Sequence, residues 1–230
     1  MSIQSRREKE RNSRITAIKK SAWKIFLRDG LNNAKVSEIA KDCSLGLATL
    51  YYYFKDKRQI IYSLMLEYKN ENFTILYSLI TKGVTVQDFL EGYINSYLDH
   101  FQRFRFFVLA DSYYNYHRQY DLTDSVIMQY DTDTRKNGEL ILKCLTNDMT
   151  KDQLEKTRVG ISMIIGFLRR YALIPQKSWP RNEEERKKMI DDFKSLSFLV
   201  FQDIGFKMDS LVMIPEEEGR QIMGSDPALH

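Results

Sequence analysis

Apolar residues recur along most of the chain at three- and four-residue spacing, the period of a helix with one buried face. Over residues 13–28, Ile15, Ile18, Ala22, Ile25 and Phe26 share a stripe while Lys19, Lys20 and Lys24 fall on other faces, and Gly30 stops that helix. A short helix over 36–43 follows, with Val36, Ile39 and Ala40 on one face, until Ser44-Leu45-Gly46 breaks it. A third short helix covers 47–54. After Lys55-Asp56-Lys57 a long helix over 58–81 carries Ile61, Leu64, Met65, Tyr68, Phe73, Leu76 and Leu79, and Gly83 ends it.

The rest of the chain has its own start signals. Thr85-Val86-Gln87-Asp88 resembles a capping box that opens a helix to residue 103, and Thr150-Lys151-Asp152-Gln153 fits the box more closely. Asn182 precedes Glu183, Glu184 and Glu185, acids suited to the positive end of a helix. Pro175 and Pro180 bracket a loop between two long helices, over 151–174 and 183–206. Residues 206–230 lose the period and read as a tail, docked through Leu211, Val212, Met213 and Ile214. With no internal repeat and no alternating strand pattern, the fold class is all-α.

Composition narrows the function classes. Ten Gly and four Pro in 230 residues are too few for a turn-rich β-sandwich. The longest stretch without a charged residue, Cys43 to Phe54, has twelve residues, short of the roughly 18 that a membrane span needs. Residues 1–14 are charged with no apolar run behind them, unlike a secretory signal. Two cysteines, Cys43 and Cys144, and three His make no disulfide framework and no zinc cluster, so no cofactor or metal is expected and a reducing cytoplasm is. The net charge of +4 conceals an asymmetry: residues 1–60 carry 14 Lys and Arg against 6 Asp and Glu, and residues 61–230 carry 21 against 25. A basic quarter on a mildly acidic remainder fits a chain whose one end meets a polyanion.

The same quarter holds two helices of about eight residues joined by a short Gly-containing turn, the outline of a helix-turn-helix. Ile39, Ala40, Leu45 and Leu50 supply its seam, and Gly46 caps the third helix, leaving amide groups that favour phosphate. This segment closely resembles the DNA-binding domain of TetR-family transcriptional repressors. The matching residues are Ile39-Ala40 in the second helix, Thr49-Leu50-Tyr51 with Tyr53-Phe54 in the third, Lys55-Asp56-Lys57 after it, and Phe26 and Gly30 in the first. The resemblance covers residues 10–66. Departures are Lys35 where the family has a Ser or Thr cap, with Asn33 as the substitute, Cys43 and Ser44 in the turn, and Gly46 where a Ser is common.

The resemblance implies a helix-turn-helix domain over 1–57, an effector-binding and dimerisation domain over 58–206 and a tail over 207–230. It implies a ligand-responsive repressor, not an enzyme, that binds double-stranded DNA, a near-palindromic operator, as a homodimer. Thr49 and Lys57 are then expected on phosphates, with Lys55 beside them. Ser37 reaches phosphate or a base edge, and Leu47 and Ala48 lie against bases, where they can touch thymine methyl groups. Tyr51, Tyr52 and Tyr53 cannot all face one way, so Tyr52 or Tyr53 is expected to pack inward. Arg14, with Arg6, Arg7, Lys9 and Arg11, follows the backbone or forms a minor-groove arm.

Two further groups stand out. Tyr97, Phe101, Phe104, Phe107, Tyr113 and Tyr114 are a dense aromatic run with His117 among them, read either as the wall of a small-molecule effector pocket or as solid core. The last two long helices are apolar on more than one face, which predicts burial on two sides. Ile161, Ile165, Leu168, Phe193, Phe198 and Phe201 are the dimer candidates, with Gly160 and Gly166 allowing a partner helix close. Competing readings are a helical adaptor with a vestigial DNA-binding unit, and a small helical enzyme. No GxSxG, HExxH or phosphate-binding glycine loop supports the enzyme.

Overall fold

The computed structural model describes residues 3–99, 101–117, 125–146, 150–173 and 182–212. Among them run the helices α1 (Ile3–Asn33), α2 (Val36–Asp42), α3 (Leu47–Tyr53), α4 (Lys57–Lys82), α5 (Val86–Leu98), α6 (Phe101–His117), α7 (Ser125–Thr146), α8 (Lys151–Leu173) and α9 (Glu183–Ile204). The strands β1 (Val84–Thr85) and β2 (Leu211–Val212) pair antiparallel, Val84 opposite Val212. The fold is all-α apart from this two-residue ladder, which is too short to leave an alternating pattern in sequence. It docks the start of the tail, with Val212 buried; Met213 and Ile214 lie outside the described residues.

Packing divides the chain into two compact units. One comprises Met1–Tyr68 with Leu109–Asp131, the other Lys69–Val108 with Thr132–His230, so α4, α6 and α7 contribute residues to both. This packing division differs from the boundary at 57/58 that the sequence leads one to expect. In the first unit Ile18, Ala22, Ile25 and Phe26 of α1 meet Ile39 and Ala40 of α2, Leu50 of α3 and Ile60, Ile61 and Met65 of α4, all buried. In the second, Leu76, Ile80, Phe89, Ile94, Phe104, Phe107, Ile164, Leu168 and Phe201 are buried.

The helix ends follow local chemistry. Thr85 Oγ1 accepts from the Asp88 amide at 3.1 Å, and the Thr150–Gln153 box closes both ways, at 3.3 and 3.0 Å. Asn182 Oδ1 accepts from the Glu185 amide at 2.8 Å. At the end of α9, Gly205 adopts φ 101°, which lets the Phe206 amide donate to the Phe201 carbonyl and brings those rings to 5.0 Å.

Several expectations need correcting. α1 begins at Ile3 rather than near residue 13, so Arg6, Arg7, Lys9, Arg11 and Arg14 are helical and form no extended arm. Gly30 (φ 77°, ψ 163°) interrupts this helix, and one more turn follows it to Asn33. The helix opened by Thr85 ends at Leu98 instead of 103, and α6 begins at Phe101. Pro175 and Pro180 lie outside the described residues.

Candidate nucleic-acid interface

The turn between α2 and α3 is built by a non-glycine residue in glycine's conformation. Ser44 has φ 55°, the left-handed region. That geometry lets the Leu45 amide donate to the Ala40 carbonyl at 2.8 Å and the Ser44 amide to the Lys41 carbonyl at 3.1 Å, the paired bonds that end a helix with a reversal. Neither Lys35 before α2 nor Gly46 before α3 makes a side-chain cap, and Asn33 does not substitute. Ion pairs hold α2 to α1 instead: Arg28 reaches Glu38 at 2.6 Å and Lys24 reaches Asp42 at 2.5 Å. Asp29 on one side and Glu38 on the other raise the already high pKa of the Arg28 guanidinium, fixing its charge.

α3 is a two-faced helix. Leu50, with Phe54 just past its end, is buried where α3 packs on α2, and the spacing of four residues puts both on one side. Leu47, Ala48, Thr49, Tyr51 and Tyr52 are exposed, at i, i+1, i+2, i+4 and i+5 around the opposite side. Tyr52 does not pack inward. It is the most exposed of the three phenols, at 78%, and leans edge-on to half-buried Tyr53 with the centroids 5.2 Å apart. The reason is that Leu50 and Phe54 already fill the inward positions. Ser37 is exposed on α2. Arg14, Lys20, Lys35, Lys41 and Lys55 are exposed and make no ion pair among the described residues.

Lys57, expected on a phosphate, is engaged within the chain. Its Nζ donates to the carbonyls of Leu31, Asn32 and Ala34, at 2.8, 2.9 and 3.2 Å. Three N–H groups meet three carbonyls at the negative end of α1, which Gly30 has turned towards the start of α4. Burial alone pulls the ammonium's pKa below its ordinary value. Beside it, Asp56 caps α4: Oδ1 accepts from the Gln59 amide at 3.0 Å and Oδ2 from Arg58 at 2.7 Å. Burial pushes the Asp56 carboxyl up, but Arg58 and the Gln59 amide outweigh it, and the group titrates below the usual carboxylate range.

This unit matches known proteins. The family described as "Bacterial regulatory proteins, tetR family" matches residues 18–64. The N-terminal segment belongs to the TetR family. An uncharacterized HTH-type transcriptional regulator of Bacillus subtilis, YuxN, is 35% identical over 63 residues, 27% of this chain and 22% of that protein. An HTH-type transcriptional regulator of Staphylococcus aureus is 41% identical over 54 residues, 24% of this chain and 28% of its own. The chain thus spans about a quarter of the length of these relatives. Among solved structures, the TetR-family regulator PfmR of Thermus thermophilus covers 80% of this chain and 97% of its own, at 14% identity and a TM-score of 0.58. The ketosteroid transcriptional regulator of Mycobacterium tuberculosis covers 85% of this chain and 97% of its own, at 13% identity and a TM-score of 0.57. Those likenesses show the fold, a TetR-type helical arrangement over most of the chain. The matching family is one of regulators and not of enzymes.

The aromatic run divides between the two units of this TetR-type fold. Tyr114 packs edge-on to Tyr62 at 5.3 Å and donates to Asp131 at 2.7 Å, and half-buried Tyr113 lies within electrostatic reach of Arg58 and Asp56, all in the first unit. In the second, Phe104 is buried against Tyr97 at 5.0 Å, Phe101 against Tyr171 at 5.1 Å, and Phe107 lies under Lys69. The side chain of His117 lies outside the described residues. A cavity of about 220 Å³ does open in the second unit, but among the described residues of the predicted wall only Tyr97 lines it. The other walls are Phe73 and Leu76 of α4, Phe89 and Tyr93 of α5, residues of α7 from Thr134 to Leu145, and Ile161, Ile165 and Phe201. Phe104 and Phe107 are core, and Phe101 is half-buried against Tyr171.

The dimer candidates are corrected in the same way. Leu168, Phe193 and Phe201 are buried within the chain, Ile161 and Ile165 line the cavity, and Phe198 is half-buried. The outward stripe of α8 is Val159, Met163 and Phe167, at 53, 62 and 49% exposure, and that of α9 is Leu196 and Leu199, at 58 and 60%. Phe167 stacks on Phe193 at 4.6 Å, so this face continues from the pair's own packing. A Cβ at Gly160 would stand 2.7 Å from Ile204, so this glycine admits α9 of the same chain; Gly166 faces open space. Sequence could have flagged Asn72 and Thr134, polar residues set into the apolar stripes of α4 and α7. It had no means of choosing which apolar face of α8 turns inward.

Among the described residues no helix is long and apolar enough to cross a membrane, and no three His, Cys, Asp or Glu are grouped to hold a metal.

Proposed function

We propose that the chain is a cytoplasmic DNA-binding transcriptional regulator, a ligand-responsive repressor that grips a near-palindromic operator as a homodimer. The observation that carries this is α3, locked inward by Leu50 and Phe54 while Leu47, Ala48, Thr49, Tyr51 and Tyr52 face outward. Apolar Leu47 and Ala48 suit thymine methyl groups, and Thr49 and the three tyrosines, Tyr51, Tyr52 and Tyr53, suit phosphate or base edges. Ser37 flanks them from α2, and the unpaired Arg14, Lys35, Lys41 and Lys55 supply the counter-charge that duplex binding needs. In this reading residues 1–57 read DNA, 58–206 bind effector and partner, and 207–230 are an appended tail.

Dimerisation rests on the outward stripe of α8 and α9. Exposed aliphatic and aromatic side chains in one patch mark an interaction site, and a second copy covers them while placing two α3 helices on two half-sites. Selection of duplexes from a random-sequence pool by the full chain tests the proposal. A repeated, near-palindromic site that is bound with steep salt dependence is expected. Enrichment of no sequence, with binding equally weak to every duplex, would overturn it.

A further inference from the structure

The cavity of the second unit supports an assignment of ligand class, and it rests on the ligand-responsive reading above. Its wall is hydrocarbon apart from Lys69 and Asn72 on α4, Thr134 on α7 and the phenols of α5. Asn72 is buried and donates through Nδ2 to Ser96 Oγ at 3.0 Å, and Tyr97 donates to Tyr93 at 3.2 Å. The Thr134 hydroxyl differs. It is sealed from solvent and has no hydrogen-bond partner. A hydroxyl in that position destabilises the empty protein, and a cavity that only had to be filled would be served as well by Val.

The polar groups share one end. Tyr77 of α4 lies within electrostatic reach of Cys144 of α7, and the residues that line the cavity lie upstream of this contact in α4 and, apart from Leu145, in α7. The two helices therefore run side by side in the same direction. Lys69 and Thr134 lie about 12 and 15 Å upstream of that contact at 1.5 Å per residue, and Leu76 and Leu145 lie next to it. Lys69, whose Nζ stands 5.1 Å from the Phe107 ring centroid, is the charged residue among the described residues of the wall. An ammonium, a hydroxyl and a carboxamide can all donate to the same acceptor.

We propose that the cavity binds an apolar molecule with a single hydrogen-bond-accepting head, a carboxylate, held at the Thr134 and Lys69 end with its hydrocarbon body towards Leu76 and Leu145. A cavity of about 150 Å³ accommodates benzene. At about 220 Å³ this one suits a body of roughly nine carbons, the order of size scaled from that case.

Isothermal titration of the full chain with decanoate, decanol and decylamine tests the assignment. Decanoate is expected to bind tightest and decylamine weakest by at least tenfold. Thr134→Val is expected to weaken decanoate about tenfold while raising the melting temperature of the free protein, because the orphan hydroxyl is gone. Thr134→Ser, which restores the hydroxyl, is expected to recover decanoate affinity to within threefold, and Lys69→Met to weaken decanoate but not decanol. Decylamine binding as tightly as decanoate, no decanoate binding at all, or decanoate affinity equal in Thr134→Val and wild type would each overturn the proposal. The selected operator provides the separate readout. Decanoate that binds in the cavity with operator affinity unchanged supports the site and counts against the ligand response alone.

Discussion

Replacing Lys57 by Met separates a structural lysine from a phosphate-binding one. The substitution keeps most of the aliphatic stem and removes three N–H donors from the carbonyls of Leu31, Asn32 and Ala34. Two of those bonds are partly buried and the Asn32 one is exposed, so water replaces the last at little cost. Counting about 1 kcal/mol for each partly buried bond and a few tenths for the exposed one gives a loss of about 2 kcal/mol, discounted from the 1.5–3 kcal/mol each that desolvated charged bonds reach. For a chain of this size 1 kcal/mol moves the melting temperature by about 2–4 °C, so a fall of roughly 4–8 °C is expected. Calorimetry supplies the first measurement and fluorescence anisotropy against an operator duplex across a salt series the second. Lys57→Met should lower the melting temperature and leave the salt slope of the folded protein unchanged. Lys55→Ala, at an exposed cation without an ion pair, should do the reverse and reduce the slope by about one. A Lys57→Met protein that melts within 1 °C of wild type but loses one unit of salt slope would refute the reasoning and return Lys57 to the phosphates.

Three other outcomes follow from the geometry. Ser44→Gly relieves a left-handed residue in the turn and should stabilise the protein by about 1 kcal/mol, read as a higher urea midpoint at constant slope; a lower midpoint counts against the strain. Met163→Glu with Leu199→Glu should sediment as a folded monomer, whereas Ile165→Asp should lower the melting temperature because Ile165 faces the cavity; a double variant still dimeric at micromolar concentration moves the interface elsewhere. Asp56 has a folded pKa below its ordinary value, so its contribution is present above the unfolded pKa near 3.8 and fades as pH falls through the folded value. Asp56→Asn keeps the cap and should be less stable than wild type at pH 6 but converge with it in acid, and a gap constant across that range would exclude the linkage.

The DNA-reading unit was legible because local chemistry decides it. Ile39, Ala40 and Leu50 fall on the seam by helical spacing alone, and the Ser44 turn marks the end of α2, as Gly30 marks the break one turn before the end of α1, without reference to distant residues. The misses lie where tertiary contact decides. A lysine at the start of a helix after a helix-turn-helix reads as a phosphate ligand, whereas here its three N–H groups meet the carbonyls of Leu31, Asn32 and Ala34. The break between α5 and α6 falls at Leu98-Asp99-His100-Phe101, where no Gly or Pro announces it. Three consecutive phenols must diverge, which points to Tyr52 or Tyr53 as the inward one; Tyr53 is half-buried, and Tyr52 stays outside because Leu50 and Phe54 hold the inward positions.

The two long C-terminal helices show how far an apolar pattern can go. Period 3.6 identifies Gly160, Ile164 and Leu168 as one stripe of α8 and Val159, Met163 and Phe167 as another, about 100° round the helix for each residue of offset. Both stripes are apolar, so the pattern requires two burials and cannot rank them. The ranking comes from α9: a Cβ at Gly160 would stand 2.7 Å from Ile204 Cδ1 and 3.4 Å from Val200 Cγ1, so α9 packs directly on the Gly160 stripe and turns it to the chain's own interior. Met163 is then left outward, and Ile161 and Ile165, one position beyond the inner stripe, fall at its edge, where the cavity opens. One close contact between α8 and α9 thus assigns three faces of α8 at once, to core, to cavity and to an uncovered surface. Widening that contact, as Gly160→Leu would, must disturb the cavity and the outer stripe together, so ligand binding and dimerisation should fail in concert in that variant while the α3 face of the first unit stays folded.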